Sequence, residues 1–318
     1  MNVVDHLLQS AWRLPACVAG IGTFDGVHVA HRKLIGQVVE RGRELGLPSA
    51  VVLFDPLPKE VLVPGFAGRL SSLPRKLQAL EALGPDHACV IRFDRAFAHE
   101  GPRAFVEQVL HERLGVREIF IGFNFSFGQG ARGTPGQLER FGYDFGFHTN
   151  VLPPVSLDGH LVSSSAIREL LRTGAVEAAA AMLGRPYTLE GQVVRGDGRA
   201  NRLGFPTANL EVAPPGCVIP GHGVYAGCAA TGEVERPCVI YIGVSPTFKG
   251  TRRKVEVHLL GFSGELIGQP LRVQFSGRIR EERTFASEAE LVAQLQRDIR
   301  HGRELHRSCP CELTEARP

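Results

Sequence analysis

The sequence predicts an α/β fold in two parts: a parallel sheet wrapped by helices, then a small antiparallel β-barrel followed by a C-terminal helix. Three observations carry this. Apolar runs of strand length alternate with amphipathic helical patterns as far as Leu183, as expected of a doubly wound parallel sheet. From Tyr187 the pattern changes to short strand-like runs separated by Gly- and Pro-rich turns, which suits a compact barrel. At 318 residues the chain is also long for a single core, so the change of period marks a boundary between domains 1–185 and 186–318.

Residues 16–21 are a short apolar run, read as a buried strand. After a polar loop, Leu34, Ile35, Val38 and Val39 fall on one helical face. Strands at 50–54, 88–93 and 118–122 then alternate with helices at 74–83 and 102–114. A short helix at 138–141 and a strand at 147–152 complete the sheet, and helices at 165–172 and 176–183 close at Gly184. Barrel strands are expected at 188–194, 224–229, 238–243, 254–260 and 271–275. Ser287-Glu288-Ala289-Glu290 is a capping box, opening a helix whose Leu291, Leu295 and Ile299 would pack onto the barrel. Residues after 303 read as a loose tail.

Composition narrows the function classes. With 43% hydrophobic and 22% charged residues and no apolar run of membrane-spanning length, the expectation is a soluble chain without a membrane partner. The first nine residues have no signal-like apolar core, so the expected location is cytoplasmic. A net charge of +3, with basic and acidic residues alternating, argues against nucleic acid and suits small anionic substrates. The seven cysteines are scattered without Cys-x-x-Cys spacing and read as reduced thiols; Cys309-Pro310-Cys311 lacks a second pair of metal ligands.

Ligands of open parallel sheets bind outside the carboxyl ends of the strands. The unusual residues of the first half cluster there. Gly22-Thr23-Phe24-Asp25-Gly26-Val27-His28-Val29-Ala30-His31 follows the first strand, Asp55-Pro56 the second, a glycine-rich stretch with Asn124 the fourth, and Ser163-Ser164-Ser165-Ala166-Ile167-Arg168 the last. His28 and His31 lie one helical turn apart where a helix begins, so both rings can turn to an anion seated on its free N–H groups. Asp25, His28 and His31 could alternatively hold a metal ion, although a helix N-terminus favours an anion. Ser163, Ser164 and Ser165 open another helix, with Arg168 a turn later. Asn124 could bond a base or flavin edge, or close an Asx-turn. Phe123, Phe125 and Phe127 alternate as core residues do.

In the second half, a glycine-bearing basic segment (Gly196, Arg199, Arg202) leads into Leu203-Gly204-Phe205-Pro206-Thr207-Ala208-Asn209. Pro206 fixes its own φ and favours extended geometry at Phe205, so Thr207 and Asn209 would point the same way. Two neutral oxygen ligands beside a basic loop suit a Mg²⁺–nucleotide. The bland alternative is an edge turn satisfying local backbone groups. Glu256, on the opposite face from Val255 and Val257, is a candidate general base for an alcohol, or a solvated strand glutamate.

Together these pieces resemble the bacterial bifunctional riboflavin kinase/FAD synthetase family, from about Val18 to Ile299. Residues 22–31 stand at its histidine motif, 122–130 at its asparagine-bearing loop and 163–168 at its serine–arginine motif. Leu203-Gly204-Phe205-Pro206-Thr207-Ala208-Asn209 stands at the Gly-Phe-Pro-Thr-Ala-Asn motif, 223–226 and 242–248 at two further signatures, and Glu256 at the catalytic acid position. The resemblance implies a Rossmann-like nucleotidyltransferase domain and a riboflavin kinase barrel. It further implies Mg²⁺ held by Thr207 and Asn209, with riboflavin, FMN and ATP as substrates, in a monomer or weak homo-oligomer. Glu256 would deprotonate the ribityl hydroxyl, and His28, His31, Ser164 and Arg168 would stabilise departing pyrophosphate. Ala30, Leu57 and Ala200 replace the family's Gly, His and frequent Gly. A riboflavin kinase with an impaired adenylyltransferase domain is the alternative these departures suggest.

Overall fold

Runs of buried apolar residues dictate the first half. In the computed structural model, which describes residues 1–196, 203–232, 234–247 and 250–308, strands β1 (Asn2–Val4), β2 (Cys17–Ile21), β3 (Ser49–Asp55), β4 (His87–Arg92), β5 (Val116–Gly122) and β6 (His148–Leu152) form an all-parallel sheet of order β1-β4-β3-β2-β5-β6. β2 is buried at every position, as a central strand covered on both faces must be. The helices are α1 (Val29–Leu45), α2 (Pro58–Leu62), α3 (Leu73–Glu81), α4 (Pro102–Phe105, continuing as a π-helical Val106–Arg113) and α5 (Pro135–Phe145). Leu34, Ile35, Val38 and Val39 of α1 pack on Val18, Val51 and Leu53 as their periodicity predicts. From β2 the chain builds the sheet towards β3 and β4, then crosses back to β5 and β6. The loops after β2 and β5 therefore flank the point where strand order reverses, the usual ligand crevice of such sheets.

Several expectations need correction. The short helix at 138–141 spans Pro135–Phe145, because Thr134 caps it at the Gln137 N–H and Gly146, at φ 77°, ends it. β1 and α2 were not expected, being too short for a period to show. A two-stranded hairpin, β7 (Ser156–Leu157) and β8 (His160–Leu161), turns at Asp158-Gly159.

The chain divides into two compact units, Met1–Ser164 and Ser165–Pro318. The second contains α6 from its second residue (Ser164–Thr173) and α7 (Val176–Leu183). Strands β9 (Thr188–Val194), β10 (Ala208–Val212), β11 (Gly223–Thr231), β12 (Val234–Thr247), β13 (Gly250–Leu259) and β14 (Pro270–Arg280) form a closed antiparallel barrel of order β10-β13-β12-β11-β14-β9, and α8 (Glu288–Ser308) follows. Closure removes the exposed edges an open sheet would leave. β12, β13 and β14 run well past the predicted lengths, and β10 turns Ala208 and Asn209 from turn residues into strand residues. Ser287 Oγ caps Glu290 N–H as the capping box requires. Ile299 packs on Val224, Val239 and Leu260 as expected, and Gln294 and Asp298 of α8 are buried polar residues beside that contact. Asp298, 1% exposed, takes the Arg280 guanidinium on both carboxylate oxygens at 2.8–3.1 Å. The loose tail expected after 303 is helical to Ser308, because Gly302 lets α8 lie close on Val239.

Cys17, Cys89, Cys217 and Cys238 are free thiols, but Cys228 is disulfide-bonded, so the reading of seven reduced cysteines does not hold. β11 carries Cys228 to the end of α8, where His306 Nδ1 lies 3.7 Å from its Sγ; sequence distance is no guide to that approach. Cys309 and Cys311 lie outside the described residues. Among the described residues no helix is long and apolar enough to cross a membrane.

Candidate functional site

The loop leaving β2 is strained and tied down. Phe24 (φ 45°) and Val27 (φ 41°) occupy the left-handed region that non-glycine residues avoid, alongside Gly26 (φ 80°). Such backbone persists where its surroundings over-determine it, most often at functional sites. Phe24 and Val27 are buried in the core, and the Leu70 N–H donates to both Asp25 carboxylate oxygens at 2.9 and 3.1 Å. Ser164 Oγ donates to the Asp25 carbonyl at 3.0 Å, and Lys76 Nζ to the Thr23 carbonyl at 3.0 Å.

His28 is the N-cap of α1. Its Nδ1 accepts the His31 N–H at 3.4 Å, which leaves the ring proton on Nε2. The two imidazoles stack with centroids 3.5 Å apart, and the edge of Phe24 meets His31 at 5.2 Å. Burial, then the neighbouring His28 and Lys76, push His31 well below the ordinary imidazole range, so it is neutral at pH 7; its Nδ1 is buried without a partner. Among the described residues no three His, Cys, Asp or Glu side chains are grouped to hold a metal ion. Asp25 is engaged by the Leu70 amide, so the arrangement favours the anion reading of the histidine pair over the metal one.

Two expectations about this rim change with the structure. Ala30 lies inside α1 and has no positive φ, so the backbone does not require glycine there. Leu57 caps α2 with a buried side chain, and its N–H donates to Glu60, whose carboxylate also takes Arg69 at 2.6 and 2.8 Å. Across the crevice, Asn124 is exposed in the turn after β5. Phe127 is core and Phe125 stacks on it, half-buried, whereas Phe123 is 43% exposed because the loop has left the sheet. Gly22 and Ser163 are half-buried, Ser165 is exposed and Arg168 is buried on α6.

The second polar site lies on the outside of the barrel. Asn209 on β10 stands directly opposite Glu256 on β13, and Glu256 opposite Tyr241 on β12, so the three share one face. Ala208, Val255 and Val257, on the other face, fill the interior. A Cβ at Gly196 would collide with the Asn209 amide; only glycine allows that approach. His258 Nδ1 donates to the Pro206 carbonyl at 2.7 Å and anchors the turn that presents Thr207. Lys254 Nζ lies 3.6 Å from Glu256 Oε1. Tyr241 Oη bonds Glu282, which also lies 3.5 Å from His222 Nδ1. Lys76, His258, Tyr241 and Glu282 escaped sequence reading; His258 alone left a signal, two residues after Glu256 on the same face. Arg199, Ala200 and Arg202 lie outside the described residues, as does Phe248.

The FAD synthetase family pattern matches residues 11–166, and the riboflavin kinase family pattern matches residues 183–306. The chain is 38% identical over 290 residues to the bifunctional riboflavin kinase/FMN adenylyltransferase of Escherichia coli K12, covering 91% of this chain and 92% of the relative. It is 35% identical over 292 residues to the Bacillus subtilis protein of the same name, covering 88% and 90%. A crystal structure from Streptococcus pneumoniae, described as a macrolide-efflux protein, matches with a TM-score of 0.84 at 26% identity, over 95% of this chain and 98% of its own.

Proposed function

The chain belongs to the bifunctional riboflavin kinase/FMN adenylyltransferase family and carries both activities, and we propose that its two polar sites divide them. The barrel face with Glu256 makes FMN from riboflavin, and the sheet rim with His28 and His31 makes FAD from FMN. We keep the functional boundary at 185/186, with 1–185 as the FAD synthetase domain and 186–318 as the kinase. The observation that carries the reading is the register of Asn209 against Glu256, with Gly196 hemmed against the Asn209 amide.

At the barrel site Glu256 accepts the proton of the ribityl terminal hydroxyl as that oxygen bonds the γ-phosphorus of ATP and ADP leaves. A hydroxyl, an amide oxygen and a carboxylate on adjoining positions are the hard oxygen donors that suit Mg²⁺, so Thr207 and Asn209 would hold it. When bound, the ion supplies charge neutralisation at the phosphates. Gly196, Arg199 and Arg202 are assigned to those phosphates. At the sheet rim a phosphate oxygen of FMN bonds the α-phosphorus of ATP and pyrophosphate leaves. There the Nε2–H of His28, the neutral His31 ring and the Ser163 and Ser165 hydroxyls donate to the charge developing on the leaving group at the N-terminus of α1, while Ser164 holds the Asp25 carbonyl of the same cradle. Gly22, Phe24, Asp25 and Gly26 shape that cradle, Arg168 adds a fixed positive charge, and Asn124 reads the flavin edge. A cytoplasmic location and a monomeric or weakly oligomeric state complete the proposal.

The test is an endpoint assay with MgATP, starting from riboflavin or from FMN and resolving riboflavin, FMN and FAD. Wild type gives FAD from both. Glu256→Gln should lower FMN formation by about 100-fold or more while FAD still forms from FMN, and His28→Ala should do the reverse. A Glu256→Gln chain that phosphorylates riboflavin normally would overturn the assignment of the base.

A further inference from the structure

We propose that Lys254 is a catalytic residue of the kinase reaction, its ammonium touching the γ-phosphoryl group as that group passes from ATP to the ribityl oxygen. This rests on the reading of Glu256 as the base. Lys254 lies two residues before Glu256 on β13, so both side chains leave the same outer face of the barrel. Its Nζ stands 3.6 Å from Glu256 Oε1, an ion pair longer than a hydrogen bond, with the two side chains 25% and 21% exposed.

The strands on either side of Lys254 leave it room to move. Its partner in register on β12 is Gly243, which has no side chain. On the other flank β10 pairs with β13 only at Ala208–Val257 and Asn209–Glu256. Beyond Asn209, β10 runs on to Val212 against β9, so β10 and β13 part at Glu256 and no β10 residue stands opposite Lys254. The ammonium therefore borders the place where the barrel wall opens beside the base.

A hydroxyl that gives its proton to Glu256 lies about 2.7 Å from that carboxylate, and its oxygen meets the γ-phosphorus about 3 to 3.5 Å further on. The γ-oxygens thus lie about 6 Å from the carboxylate, and they are anions beside an anionic base. An ammonium on a flexible four-carbon stem, already beside Glu256 Oε1, reaches them by rotamer changes alone. In the step the ribityl oxygen bonds the γ-phosphorus, the bond from that phosphorus to the bridging oxygen of ADP breaks, and the hydroxyl proton goes to Glu256. Lys254 keeps its protons and offsets the charge on the three γ-oxygens. Thr207 and Asn209 meet the phosphates from the β10 side, and Lys254 meets them from β13. A purely structural ion pair is the weaker account, because pairs this accessible contribute little to stability. Glu282, the second carboxylate on this face, is already bonded to Tyr241 Oη, with His222 Nδ1 at 3.5 Å.

The experiment compares Lys254→Met and Lys254→Arg in the full chain. Lys254→Met should lower kcat for FMN formation by about 100-fold, the scale of one lost transition-state charge partner; Lys254→Arg should keep most of the rate. Kd for riboflavin and for MgADP, which lacks the γ-phosphate, should stay within about twofold of wild type, as should FAD formation from FMN. A second arm places Lys254→Met in the Glu256→Gln chain. A residue that touches the phosphoryl group lowers the residual rate again by a similar factor, whereas one that acts only through Glu256 leaves it unchanged. A wild-type kcat in Lys254→Met, a matching loss of riboflavin or MgADP affinity, or no further loss in the double variant would overturn the proposal. Glu256→Gln alone separates the two levels: normal FMN formation there sinks the reading of the site, whereas a slow Glu256→Gln beside a normal Lys254→Met sinks only the role of Lys254.

Discussion

Ala30 shows how one dihedral decides the meaning of a substitution. It stands where the family has glycine, but it sits in the first turn of α1 with helical backbone, which alanine adopts more readily than glycine. Ala30→Gly should therefore cost up to about 1 kcal/mol of stability without raising the rate of FAD synthesis; chemical denaturation and the FMN-start assay together check it. His31 gives the pH dependence. Its proton affinity is depressed in the folded protein, so the unfolded chain binds the proton more readily. Stability is fully present above the ordinary imidazole value of 6.5 and is lost as the pH falls below it towards the folded value. His87, also depressed by burial, adds the same sign. The thermal midpoint of the first unit should fall between about pH 7.5 and 5.5, and His31→Asn should flatten that fall. An unchanged slope in His31→Asn would assign the effect elsewhere.

At the scale of elements, barrel strands carry the kinase face and the segment after β14 borders it. Glu282, just past the end of β14, is tied to Tyr241 Oη on β12, beside Glu256 in register. Gly243 leaves the space for this bond, since a Cβ there would collide with Tyr241 Oη. Burial and Glu282 together push the Tyr241 hydroxyl well above its ordinary range, so it is a donor at any working pH. Tyr241→Phe should release the segment and raise KM for riboflavin about tenfold, equivalent to one hydrogen bond to a charged group at about 1.5 kcal/mol. FAD formation from FMN in the same variant should stay unchanged. These partners were not legible in the sequence, because Tyr241 and Glu282 meet only through the order of strands around the barrel.

At the scale of the whole molecule, each activity has its own apolar core: the sheet clusters around β2 and β3 in one unit, the barrel interior in the other. Sites built on separate cores should fail separately. A mixture of Glu256→Gln and His28→Ala chains should therefore make FAD from riboflavin, although neither chain does alone, with FMN released by one and used by the other. The alternation of strand and helix and the later change of period set the order of the two folds from composition and spacing alone, and the resemblance of motifs such as 203–209 to a known family implied which activity each carries. The same information placed His28 and His31 together, because neighbours one helical turn apart depend only on local geometry. Tertiary structure decided what local geometry cannot reach. It set Asn209 opposite Glu256, buried Lys76 beneath Thr23, turned α8 inward on Asp298 and extended it past Arg303. Each of these depends on register or packing between segments far apart in the chain, and a period read along one segment carries no information about its partner.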